Sequence, residues 1–181
     1  MCQVQPGDMF DALDRAIEGR YSIKERLRIC VEVIRRGQIV FRASALNDLA
    51  FVRTLGGVAP VDVIDIGQNL DLPAGDGVVI STPTGSTAYT RSAGGRRIYR
   101  DSQLVVTAIS RFDAANRSVV VSTDHLLRVI MPREKKNIMA LEVDGPRVFL
   151  LQENDIIFVS AAPQSSYFMR LDAKSGRRRP R

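Results

Sequence analysis

Small hydroxyl side chains are concentrated in one stretch of the chain, just after residue 80. Five of the seven residues from 81 to 87 are serine or threonine: Ser81, Thr82, Thr84, Ser86 and Thr87. The stretch follows a short apolar run, residues 78–80, which is long enough for one buried strand. A strand, a hydroxyl-rich turn and a short helix can together present hydroxyl and backbone N–H groups to a polar ligand. A purely structural loop is an equally good interpretation of this composition.

An amide and a carboxylate interrupt a second apolar run. Asn47 and Asp48 lie within residues 45–53, where most of the neighbouring side chains are apolar. A buried polar group needs a hydrogen-bond partner, and leaving it unsatisfied costs about 1–3 kcal/mol. The pair could satisfy nearby backbone groups in a cap or bulge, and the residues alone favour this interpretation. It could also face a ligand, because an amide beside a carboxylate can contact the donor and acceptor edge of adenine.

These motifs resemble those of the NAD kinase family. The run STPTGSTAY at residues 81–89, followed by SAGG at residues 92–95, is similar to the signature of that family. The ALND run at residues 45–48 is similar to a second family motif. Residues 18–33 resemble the family's passage from its first domain into its β-rich second domain. The resemblance extends from about residue 8 to about residue 171.

The resemblance implies an enzyme that transfers the γ-phosphate of ATP to the adenosine 2′-hydroxyl of NAD, with Mg²⁺ accompanying the nucleotide. This chain would supply the NAD-binding and oligomerisation domain. NAD would be contacted by these residues: Asn47, Asp48, Asp76, Thr84, Thr87, Ala88, Tyr89, Thr90, Arg91, Ser92 and Asp144. Neither a metal ligand nor a catalytic residue is expected here. The family's proton acceptor lies in a GGDG motif of the first domain, and these 181 residues contain no GGDG.

Other functions stay open at this point. A non-catalytic dinucleotide-binding or regulatory module would keep the same motifs without phosphoryl transfer, and the missing base favours it. The second domain of a related lipid kinase is a further alternative, although the STPTGSTAY run argues against it. Residue 74 is alanine where some family members have arginine, so the chain departs from the family pattern at the periphery of the ligand site.

Composition limits the partners and the cellular compartment. The net charge is +6, but five basic residues fall in the last nine, and without them 21 basic residues face 20 acidic ones. The basic tail, residues 173–181, is therefore expected to be disordered, and no specific nucleic-acid partner is predicted. Two cysteines without a pairing pattern and the absence of a 20-residue apolar run predict a cytoplasmic protein without a membrane span. The family resemblance implies a homodimer or homotetramer.

The periodicity of the apolar residues predicts a mainly β fold. After a leader, residues 1–7, Asp8 is a candidate N-cap for a short helix, with Gly19 as its end. From residue 27 onward, alternating apolar residues and regularly spaced turns predict a β-sandwich. A second short helix is expected after STPTGSTAY. One NAD-binding domain is predicted over residues 8–172.

Overall fold

The computed structural model describes residues 4–55, 61–110, 118–131, 138–145 and 147–171. The predicted tail and the first three residues of the predicted leader lie outside this part of the chain. The helices and strands of the described residues, in chain order, are α1 (Met9–Ile17), β1 (Tyr21–Arg26), β2 (Ile29–Arg35), β3 (Gln38–Ala45), β4 (Asp48–Leu55), β5 (Asp62–Asp65), β6 (Gln68–Asn69), β7 (Gly77–Ser81), α2 (Tyr89–Ser92), β8 (Gln103–Ile109), β9 (Ser118–Ser122), β10 (Leu127–Ile130), β11 (Ile138–Val143), β12 (Arg147–Leu150), β13 (Ile156–Ala161) and β14 (Ser166–Leu171). Two short 3₁₀ helices, Pro6–Asp8 and Gly85–Thr87, precede α1 and α2.

The chain divides into two compact units, so the predicted domain over residues 8–172 spans both. The smaller unit joins the residues up to Arg26 with those from Ser166 onward, and the larger unit is formed by Leu27–Ser165. In the smaller unit, β1 and β14 form an antiparallel pair, which the strand predictions did not include.

The helix α1 of the smaller unit differs in detail from the prediction. Asp8 occupies the N-cap position but makes no side-chain capping hydrogen bond, so the predicted cap is wrong in that respect. The helix ends before Gly19, whose positive φ of 72° fits the predicted stop. Its apolar residues Phe10, Leu13 and Ile17 are all exposed.

The larger unit is a sandwich of two six-stranded sheets, which confirms the predicted fold class. Sheet I has the strand order β3-β2-β13-β10-β5-β6, and sheet II has the order β12-β11-β4-β7-β8-β9, with every pair antiparallel. Alternate residues of each strand point between the sheets because side chains alternate along a strand. They form one apolar core that includes Val31 and Val33 of sheet I and Leu49, Phe51 and Ile80 of sheet II.

Sheet II is buried on both of its faces near its centre. Every residue of β7 is buried, as is every residue of β8 after Gln103. The inner face of sheet II packs in the sandwich core. Its outer face carries a separate small cluster made of Ala50, Val79 and Ile109, with Tyr89 and Ala93 of the α2 region packed against it. The chain leaving β7 therefore turns back over the outer face of its own sheet.

Candidate functional site

The hydroxyl-rich stretch forms an elbow, residues 81–95, that connects β7 to the outer face of sheet II. Most of its hydroxyl groups hold the elbow in shape. Ser81 and Thr90 join their hydroxyls at 2.6 Å, and both residues are fully buried. The hydroxyl of Ser86 donates to the carbonyl of Pro83 at 2.8 Å and accepts from the N–H of Ile98 at 3.2 Å. The high density of hydroxyl groups in this stretch is therefore largely explained by the hydrogen bonds that stabilise the elbow.

The elbow is in direct contact with the Asn47-Asp48 dipeptide. The hydroxyl of Thr82 donates to the carbonyl of Leu46 at 2.6 Å, and its backbone N–H donates to the carbonyl of Asn47 at 2.9 Å. Gly85 lies so close that a Cβ there would overlap the Asn47 carbonyl oxygen. Only glycine fits this approach. The two motifs therefore meet through their backbones.

Asp144 contacts the dipeptide from another direction. It lies with Gly145 between β11 and β12, where both residues have positive φ. One carboxylate oxygen of Asp144 accepts the N–H of Leu46 at 2.8 Å, and the other accepts the N–H of Asn47 at 2.7 Å and that of Asp48 at 3.2 Å. Three consecutive N–H groups around one anion form a nest.

Asp48 is a buried carboxylate in an acidic surrounding. It is 6% exposed, at the start of β4. Burial, and then the charges of Asp144 and Glu142, raise the pKa of Asp48 to about 6. Glu142 lies directly opposite Ala50 in the β4–β11 ladder, so it shares the outer face with Asp48. The carboxyl of Asp48 consequently changes its charge near neutral pH.

A cavity of about 410 Å³ lies on this outer face, next to the apolar cluster. Its lining consists of Val52, Arg53, Asp76, Tyr89, Ile109, Ser110 and Glu142. Of the predicted site residues, Asp76 and Tyr89 belong to the lining. Burial raises the pKa of the Tyr89 hydroxyl, and the charges of Glu142, Asp48 and Asp76 raise it further, so this hydroxyl stays a hydrogen-bond donor at neutral pH. The ring packs on the sheet and lines the cavity at the same time.

Arg53 and Asp76 form an ion pair at one side of the cavity. The Arg53 Nε lies 2.6 Å from an oxygen of Asp76, and both side chains are about one third exposed. This hydrogen bond, with a weaker one from Ser110, lowers the pKa of Asp76, so the carboxylate is ionised at neutral pH.

The other predicted residues differ in their exposure. Thr87, Ala88, Arg91 and Ser92 are exposed on the elbow, and Thr84 is half-buried. The hydroxyl of Thr87 donates to the carbonyl of Thr84 at 3.0 Å. Thr90 is fully buried against Ser81 and packs inside the elbow. Asn47 is half-buried and is held through its backbone, as described above.

The polar residues near the site that were not identified from the sequence include Thr82, Arg53, Ser110 and Glu142. Thr82 lies inside the recognised motif, yet nothing in its residue type distinguishes a hydroxyl that joins two segments from one that faces a ligand. Arg53 and Glu142 depend on strand pairing. Two-residue alternation from Asp48 places Ala50 and Val52 on the outer face, but only the register with β11 adds Glu142.

Within the described residues, no group of three or more His, Cys, Asp and Glu side chains could hold a metal ion. Among the same residues, no helix is both long enough and apolar enough to cross a bilayer.

Comparison with known proteins identifies the family. The model of the ATP-NAD kinase C-terminal domain matches residues 58–171. The chain is 28% identical over 173 residues to an NAD kinase of Thermoanaerobacter sp. (strain X514), covering 94% of this chain and 61% of that protein. It is 34% identical over 169 residues to NAD kinase 2 of Thermosynechococcus vestitus, covering 92% of this chain and 54% of that protein. It therefore spans about half to three fifths of the length of these relatives.

Solved structures show the same fold. Yeast NADH kinase, crystallised with NADH, superposes with a TM-score of 0.78 at 22% identity, covering 92% of this chain and 49% of that one. An NAD kinase from Archaeoglobus fulgidus in complex with ATP gives a TM-score of 0.73 at 21% identity, covering 93% and 63%. The converging motifs, the two-sheet fold and the family match lead to one conclusion: the chain belongs to the NAD kinase family and corresponds to its C-terminal domain.

Proposed function

We propose that this chain binds NAD on the outer face of sheet II and forms the dinucleotide-binding part of an NAD kinase. The observation that carries the proposal is the contact between the elbow and the Asn47-Asp48 dipeptide, beside a cavity that Tyr89 and Asp76 line. The volume, about 410 Å³, is in the range of small-molecule sites. In the proposed reaction, the adenosine 2′-hydroxyl of NAD attacks the γ-phosphorus of ATP and ADP leaves.

The chemistry of the lining fits parts of a dinucleotide. Asp76 and Glu142 of the lining can accept hydrogen bonds from ribose hydroxyls, and the Tyr89 hydroxyl can donate one. The exposed elbow residues, which include Thr87 and Ser92, would contact the dinucleotide with hydroxyl and backbone groups. This chain's residues would bind and orient NAD, while the base that accepts the proton would come from outside it.

Mg²⁺ enters this proposal as part of the nucleotide substrate. The described residues include no cluster suited to holding a metal ion, so the cation would arrive bound to the phosphates of ATP. We expect the 181-residue chain alone to bind NAD without appreciable turnover.

Assembly and location are part of the same proposal. A homodimer or homotetramer is what the family resemblance implies, and a cytoplasmic location is what the two cysteines without a pairing pattern indicate. Apolar residues exposed on the edge strands support self-association, since Ile39 of β3 is 50% exposed and Leu150 of β12 is 59% exposed. Light scattering coupled to size-exclusion chromatography would measure the mass. A monomer at micromolar concentration would contradict this part.

Calorimetric titration with NAD tests the binding proposal. Saturable binding is expected for the wild type and weaker binding for Thr87→Ala, with Thr123→Ala in the β9–β10 turn as a matched control that binds normally. Absence of saturable binding by the wild type would overturn the proposal. NADP formation from NAD and ATP by this chain alone would contradict the expected lack of turnover and would exclude the alternative, a module that binds the dinucleotide without transfer.

A further inference from the structure

The carboxylate of Asp144 is fully engaged with the backbone of another segment. Both of its oxygens accept hydrogen bonds from the consecutive N–H groups of Leu46, Asn47 and Asp48, at 2.7 to 3.2 Å. The N–H of Asp144 itself donates to the carbonyl of Asp48 at 3.1 Å. Each segment therefore both donates hydrogen bonds to the other and accepts them from it.

Thr82 holds the opposite polar groups of the same segment. Its hydroxyl lies 2.6 Å from the carbonyl oxygen of Leu46 and 3.3 Å from that of Asn47. The N–H groups of residues 46–48 thus point to Asp144, and carbonyls of the same segment point to the elbow. With both sets of backbone groups held, the directions in which the Asn47 and Asp48 side chains leave the backbone are set.

We propose that Asp144 is a positioning residue, whose carboxylate organises the backbone of residues 46–48 and so orients Asn47 and Asp48 toward the dinucleotide. Its role is then indirect, in contrast to the direct NAD contact that the family resemblance suggested. The proposal rests on the NAD-binding function proposed above. A carboxylate suits the task of holding backbone N–H groups, because hydrogen bonds to an ionised acceptor are about twice as strong as neutral ones.

Removing the negative charge of Asp144 should have opposite effects on NAD binding under a purely electrostatic role and under a positioning role. Asp48 is faced by Asp144 from the β11–β12 turn, by Glu142 from β11 and by Tyr89 from α2. Neutralising Asp144 removes a negative charge beside Asp48, and NAD itself is an anion, so a purely electrostatic role predicts tighter NAD binding. A positioning role predicts weaker binding. The sign of the change therefore separates the two roles.

The variant Asp144→Asn is suited to this test. Asp144 has a φ of 50° and precedes Gly145, and asparagine before glycine favours the same hairpin turn, so the fold should be kept. The amide is neutral and replaces one acceptor oxygen by an NH₂ donor, which cannot accept the N–H groups. Asp144→Glu keeps the charge but displaces the carboxylate by one methylene group.

We expect Asp144→Asn and Asp144→Glu each to weaken NAD binding by about 10- to 100-fold, as misplacement of binding groups does. The amide proton signals of Leu46, Asn47 and Asp48 should move upfield in Asp144→Asn without ligand. Glu142→Gln removes a neighbouring charge without touching these N–H groups, so it should leave those three signals in place.

Unchanged or tighter NAD binding by Asp144→Asn would overturn the proposal, as would full affinity in Asp144→Glu. Unmoved amide signals in Asp144→Asn would also overturn it. If the wild type binds no NAD, the proposed function fails instead, and the amide signals, recorded without NAD, still decide whether Asp144 organises residues 46–48.

Discussion

The two faces of sheet II are built from the same strands but are held together differently. The inner face is uniformly apolar, with Leu49, Phe51 and Ile80 fully buried in the sandwich core. The outer face combines a small cluster of Ala50, Val79 and Ile109 with the carboxylates of Asp48 and Glu142. The inner face stabilises the fold, whereas the outer face holds negatively charged side chains close together, where they repel one another. Because side chains alternate along a strand, the residues that stabilise the core and the residues near the candidate site lie on opposite faces of the same strands.

The largest effect is expected on the inner face. Phe51→Ala should lower the free energy of unfolding by about 3–5 kcal/mol, because it removes a fully buried ring and leaves a cavity. Urea denaturation would measure it. The neighbouring Val52→Ala on the outer face should cost only about 1 kcal/mol, since Val52 is half-buried. Equal losses for the two variants would contradict the distinction between the faces.

The next effect concerns the junction between the elbow and the dipeptide. Gly85→Ala should cost about 2–4 kcal/mol, because its Cβ would overlap the backbone of Asn47. NAD affinity should fall with it. Gly7→Ala is a control with no atom within 4 Å of the added Cβ and should be nearly neutral. A neutral Gly85→Ala would show that the two segments can separate without loss.

The outer face should also make stability depend on pH through Asp48. Its pKa is raised from 3.8 to about 6, so between these values the folded chain binds a proton that the unfolded chain does not. Its contribution to the free energy of unfolding therefore falls as pH rises from about 4 to about 6, by about 2–3 kcal/mol.

Urea denaturation of the wild type and Asp48→Asn at several pH values would check this. The difference between the two should follow that window, with the variant gaining relative stability as pH rises. Asp101→Asn, at an exposed carboxylate, should keep the wild-type dependence. A pH-independent difference between wild type and Asp48→Asn would contradict the raised pKa.

The smallest effect is expected for the ion pair at the cavity. Arg53→Gln should change the free energy of unfolding by less than about 1 kcal/mol, because partly exposed pairs contribute little. The pKa of Asp76 should rise toward its ordinary value, which a ¹³C NMR titration of its carboxyl would show. An unchanged pKa would mean that the guanidinium does not govern this carboxylate.

Much of the fold could be predicted from local patterns. Alternation in β2 and the Arg36-Gly37 pair are local signals that favour the β2–β3 hairpin, whose register pairs Arg35 with Gln38. The pair β1 and β14 was missed because its partners lie at opposite ends of the chain. Their strands also carry exposed residues in place of a clean alternation. No short sequence window contains that pairing.

The amino-acid sequence by itself determined the sandwich, the elbow and the family, because periodicity, turn residues and the STPTGSTAY run are local features. The tertiary structure decided which polar groups face one another. Thr82 and Ser86 of the elbow donate to backbone carbonyls, Ser81 and Thr90 bond each other, and Asp144 contacts residues that lie about 100 positions earlier. Such contacts depend on strand register and on which partner each polar group finds. Both are fixed only when the sheets have assembled.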